Sequence, residues 1–139
     1  MRLYLETTVP NFLFADDAPD KRQVTEIFFS WLRVSSDELF VSKLVEDEIT
    51  VCSEPKRSQM ISVLRSLPLR VLPVAAECSE LADDYVRAGI IPARFKNDAL
   101  HVAVAVWHKL EVVVSWNMAH LVNQQSTIYG TSCRNLAPK

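Results

Sequence analysis

Residues 2–8 read Arg2-Leu3-Tyr4-Leu5-Glu6-Thr7-Thr8. The first four suit a short buried strand, and the run stops at a carboxylate. Thr7-Thr8-Val9-Pro10 then has the chemistry of a strand-to-helix junction, with two hydroxyls placed to cap a following helix. A strand that passes into a helix through an acid predicts an α/β domain whose first strand ends at a polar site.

The same alternation continues. Between Lys21 and Val34, the residues Val24, Ile27, Phe28, Trp31 and Leu32 follow helical spacing. Leu39-Phe40-Val41 is a second strand, and Ser42 is placed to cap a helix on which Leu44, Val45, Glu48 and Ile49 share a face. Pro55 suits the first turn of a helix bearing Met60, Ile61, Val63, Leu64 and Leu67. Leu69-Arg70-Val71-Leu72 is a third strand between Pro68 and Pro73. A helix from about Ala75 to Ala88 ends at Gly89, in position for a left-handed C-cap. Another runs from about Phe95 to Leu110, and Val112-Val113-Val114 suits a strand buried on both faces. A last helix is expected from near Asn117, with an edge strand at Ser126 to Tyr129. This order predicts a three-layer α/β/α domain with a mostly parallel central sheet. Ligands bind such sheets beyond the carboxyl ends of the strands.

Composition narrows the function. The 139 residues, 49% hydrophobic and 23% charged, fit one globular domain over residues 1–139. Two glycines leave no Gly-rich phosphate loop. A formal charge of −2 and a pI near 5.9 exclude a broadly basic nucleic-acid binder, so any polyanion contact uses a local patch. Cys52, Cys78 and Cys133 form no metal-ligand spacing or disulfide framework and fit a reducing cytoplasm. No signal-peptide pattern precedes the first strand, and the longest apolar stretch, Ala99 to Trp107, is too short to span a bilayer. A cytoplasmic protein without a membrane partner is expected.

Three carboxylates stand where burial is predicted. Glu6 follows the first strand, Glu48 lies on an apolar helix face, and Asp98 opens the apolar helix Lys96-Asn97-Asp98-Ala99-Leu100-His101-Val102-Ala103-Val104-Ala105. A buried carboxylate is costly unless it is paired or holds a cation. Three that converge point to a divalent metal site and phosphodiester chemistry. Each has a plainer explanation taken singly. Asp98 and Glu6 are acids that a helix dipole favours in a first turn, and Glu48 adjoins Glu46 and Asp47 in a solvated trio. Joint convergence is what separates the two readings. His101, three residues after Asp98 on the same face, is expected to support the site as a packed histidine. Thr7 and Thr8 offer hydroxyls either to the carboxylates or to a helix end. Arg94 and Lys96 before Asp98, and Lys43 near Glu48, are either phosphate contacts or isolated surface cations.

Four motifs occur in a familiar order: Tyr4-Leu5-Glu6-Thr7-Thr8, Ser42-x-x-Val45-x-x-Glu48-Ile49, Asn97-Asp98-Ala99-Leu100-His101-Val102-Ala103 and Ser115-Trp116-Asn117-x-x-His120. Together they resemble PIN-domain proteins, most closely the VapC-type ribonuclease toxins of toxin–antitoxin modules. The resemblance runs from the first strand to about Asn123. It implies an α/β/α domain that binds Mg2+ or Mn2+ through acids and cuts RNA, an antitoxin partner, and commonly a homodimer. Glu6, Glu48 and Asp98 take the places of the three metal-binding acids, and Asn117 that of a fourth catalytic acid. Two departures stand out. Glu6 replaces the commoner aspartate, and Asn117 carries no charge. The second leaves an alternative open, a PIN-like RNA- or protein-binding module with an attenuated site. His120 and Trp116 are expected to organise the loop around Asn117.

Overall fold

A computed structural model describes residues 1–118. The expected last helix, the strand at 126–129, His120 and Cys133 lie outside the described residues. In chain order the elements are β1 (Arg2–Leu5), α1 (Thr8–Phe12), α2 (Pro19–Val34), β2 (Glu38–Ser42), α3 (Lys43–Thr50) and α4 (Lys56–Arg65). They continue with β3 (Leu69–Leu72), α5 (Ala76–Arg87), a 3-10 turn (Ala93–Phe95), α6 (Lys96–Trp107) and β4 (Val112–Val114).

The four strands form one parallel sheet in the order β3-β2-β1-β4. Parallel strands need crossovers, which are right-handed almost without exception. The chain steps from β1 to β2 to β3 in one direction and then returns across the sheet to β4. That reversal puts α5 and α6 on the face opposite α1–α4, giving the predicted three layers. Packing agrees: α1 meets α2 and α4, α3 meets α4, and α5 meets α6. The reversal also makes the gap between β1 and β4 the topological switch point, the place where an open α/β sheet exposes backbone at its carboxyl edge. Leu5 pairs with Val114 there, so Glu6 and Ser115 emerge side by side.

Local chemistry sets the ends of the helices that border this edge. Gly89 adopts φ +72°, and the Ile90 and Gly89 N–H groups donate to the Tyr85 and Val86 carbonyls, closing α5 as expected. The structure ends α6 three residues earlier than its apolar pattern does. Lys109 takes the left-handed conformation (φ 59°), with Leu110 N–H bonded to the Ala105 carbonyl, while Arg2 donates to the carbonyls of His108 and Lys109. Helix α6 is a core helix, with Ala99 and every residue from His101 to Ala105 buried. On α2 the buried face is Thr25, Phe29 and Leu32. Val24, Ile27, Trp31 and Val34 form an exposed stripe on the same helix, and Phe12, Phe14 and Phe28 are half-buried. Among the described residues no helix is long and apolar enough to cross a membrane.

Candidate metal centre

The carboxyl edge of the sheet gathers side chains from four segments. Glu6 follows β1, Glu48 lies in the second turn of α3, His101 faces inward from α6, and Ser115 follows β4. One ligand atom each from Glu6, Glu48 and His101 lie within 4.8 Å of one another. His101 Nε2 is 2.5 Å from Glu48 Oε1 and 3.9 Å from Glu6 Oε1.

Glu6 is only 3% exposed, so its charge must be compensated inside the fold. Oxygen Oε2 does this locally. It accepts from Thr8 N–H at 3.0 Å, from Thr8 Oγ1 at 2.5 Å and from Ser115 Oγ at 2.9 Å. Those donors are themselves held, because Thr8 Oγ1 accepts from Trp116 N–H at 2.9 Å and Ser115 Oγ accepts from Asn117 N–H at 3.0 Å. The Trp116 indole N–H donates to Thr25 Oγ1 at 3.0 Å, tying the loop after β4 to α2. One carboxylate oxygen is therefore fixed, and Oε1 is left to face His101 and Glu48. Trp116 organises the loop around Asn117 as expected.

Glu48 is half-exposed, with Oε1 accepting from Thr7 Oγ1 at 2.8 Å and from His101. Burial pushes its carboxyl up, but the His101 hydrogen bond and charge and the Thr7 hydroxyl outweigh it and hold Glu48 below the usual carboxylate range. Thr7 and Thr8 thus spend their hydroxyls on the carboxylates; neither they nor Ser42 cap a helix through the side chain. On the far side of His101, Nδ1 is 2.6 Å from the Tyr4 hydroxyl, which lies 2.7 Å from Ser42 Oγ. Burial pushes the Tyr4 hydroxyl strongly up, so it remains a phenol.

Two of the three predicted acids meet in this group, joined by the histidine. Asp98 is not part of it. Half-buried in the first turn of α6, Asp98 lines a cleft of about 490 Å³ with Arg94, Phe95, Lys96, Asn97 and the exposed Asn117. The candidate phosphate contacts divide in the same way. Arg94 and Lys96 border the cleft, with Arg94 over the Phe95 ring at 4.8 Å and Lys96 paired to Asp83 at 3.1 Å. Lys43, exposed on α3, pairs with Asp47 at 3.1 Å.

The donor set suits a small divalent cation. Two carboxylates meet there, with Glu6 Oε2 held by Thr8 and Ser115 and the His101 imidazole hydrogen-bonded to Glu48 beside them. A carboxylate pair with supporting hydrogen bonds is of the kind that holds such ions. Tyr4, Ser42 and Ser115 were not expected at the site. The only sequence signal was their place beside Glu6, Glu48 and Asn117 in the four motifs.

No family model matches the chain. No curated protein matches it either. Among solved structures, it is similar to a chain in the structure described as VapBC2 from Rickettsia felis bound to a DNA fragment from their promoter. The TM-score is 0.58 at 16% identity, over 89% of this chain and 92% of that one. The likeness is one of fold.

Proposed function

We propose that the chain is a divalent-metal-dependent endoribonuclease, the toxin half of a toxin–antitoxin pair. The observation that carries the reading is the meeting of Glu6, Glu48 and His101 at the carboxyl edge of the sheet, with Asp98 one helical turn from His101. The VapBC2 likeness and the PIN-like motifs support the same assignment.

In this reading Glu6 and Glu48 hold Mg2+ or Mn2+, and Asp98 completes the acid set from the cleft side. Thr7, Thr8 and Ser115 keep the carboxylate oxygens aimed inward. The cation, when bound, supplies activated water and neutralises charge on the phosphoryl oxygens. Asn117 presents an amide at the mouth, and Arg94 and Lys96 offer positive charge to an RNA phosphate in the cleft, with Lys43 farther out on α3. The exposed stripe Val24, Ile27, Trp31 and Val34 supplies apolar surface for an antitoxin or for a second copy in a homodimer.

A second reading, a metal-poor module that binds RNA or protein, is favoured by one observation: the neutral Asn117 stands where the resemblance places an acid. Cleavage by Asp98→Asn and Mn2+ titration of the wild type decide between them together. The nuclease reading expects a folded variant whose Mn2+-dependent cleavage of RNA drops about 100-fold or more. Unchanged cleavage removes Asp98 from the site, and a wild type that binds no Mn2+ at millimolar concentration in calorimetry favours the binding module.

A further inference from the structure

Tyr4, Ser42 and His101 are three polar side chains with no solvent exposure, linked in a line that ends on Glu48. The line crosses the fold: Ser42 closes β2, Tyr4 lies in β1, His101 in α6 and Glu48 in α3. Ser42 sits at the N-cap position of α3 but makes no side-chain cap bond, and its hydroxyl goes to Tyr4 instead. A cap residue that gives up its usual partner is holding something else in place.

Donor accounting fixes the direction. A carboxylate only accepts, so the hydrogen in the 2.5 Å contact between Glu48 Oε1 and His101 belongs to Nε2. In the neutral ring Nδ1 is then an acceptor, and the Tyr4 O–H donates to it while accepting from Ser42. In the charged ring the same phenol accepts from Nδ1 and donates to Ser42. Tyrosine serves both forms, whereas phenylalanine serves neither.

We propose that Tyr4, seated by Ser42, is a positioning residue that acts through His101 to fix the Glu48 carboxylate beside Glu6 and so sets the affinity of the site for a divalent cation. The cation rests on the function proposed above; the positioning of Glu48 does not.

The test is Tyr4→Phe, which keeps the buried ring and removes the hydroxyl. Proton NMR of the metal-free protein reads the hydrogen-bonded His101 Nε2–H directly, and calorimetry reads Mn2+ binding. The expected result is a folded variant whose Nε2–H resonance moves upfield or is lost to exchange, with Mn2+ binding about 10-fold weaker or more. An unchanged resonance overturns the proposal whether or not metal binds. A changed resonance with wild-type Mn2+ affinity overturns the link to cation affinity. If the wild type itself binds no Mn2+, the nuclease reading fails and the resonance alone decides the positioning role. Should Tyr4→Phe fail to fold, Ser42→Ala removes the seat of the same hydroxyl and is read the same way.

Discussion

Glu48 Oε1 lies 2.5 Å from His101 Nε2 and 2.8 Å from Thr7 Oγ1, and these two bonds set the charge state of the acid that α3 brings to the site. A folded carboxyl that ionises more readily than the unfolded one binds fewer protons between the two pKa values. Its contribution to stability is full above the unfolded value and is lost as pH falls through the folded one. Metal-free protein should therefore lose stability below about pH 5, and Thr7→Val should shrink that loss. Urea denaturation at a series of pH values checks both, and identical profiles for wild type and variant would contradict the assignment.

Glu6→Gln keeps the shape of a side chain that accepts three hydrogen bonds while removing its charge. The amide oxygen can still take the place of Oε2, so the fold should survive with a change of about 1–2 kcal/mol. Mn2+ binding and RNA cleavage should disappear. A variant that binds Mn2+ like the wild type would mean that Oε1 does not face the cation.

Ser115→Ala removes one donor to the buried Glu6 carboxylate and the acceptor for Asn117 N–H. Hydrogen bonds to charged groups are worth about 1.5–3 kcal/mol, and the half-buried position puts the expected loss near the lower figure. The denaturation midpoint measures it. Cleavage should fall as well, because Glu6 Oε2 is then held by Thr8 alone.

Cys78 is fully buried in α5, and burial pushes its thiol up. The native protein should protect it from alkylation at pH 8, with labelling appearing only as the domain unfolds. Peptide mapping after timed alkylation reads Cys78 separately from Cys52 and Cys133. Rapid native labelling of Cys78 would place α5 outside the core.

Period and punctuation made most of the architecture legible. RLYL, LFV and VVV were readable as strands because parallel strands are apolar on both faces, although VVV, at the end of the described sheet, buries only Val113. Gly89 marked the end of α5. The end of α6 was not, because Lys109 takes a backbone conformation that sequence reading reserves for glycine. Glu6 and Glu48 were readable as acids out of place, and the structure joins them. His101 was readable as a packed supporting residue, but its bond to Glu48 was not, since a histidine among valines and alanines looks the same whatever its ring nitrogens touch. Tyr4 registered only as the neighbour of Glu6 in its motif; in an apolar strand only the ring shows, and the partners of the hydroxyl lie 38 and 97 positions away.

The sheet order β3-β2-β1-β4 has a consequence for timing. β1 is made first, yet the neighbour that completes its far edge is the last described strand to leave the ribosome. Until then Glu6 has no Ser115 beside it, Thr8 has no Trp116 N–H to accept, and the cleft lacks its Asn117 wall. A chain whose synthesis stops before β4 holds every charged member of the site and still has no finished centre.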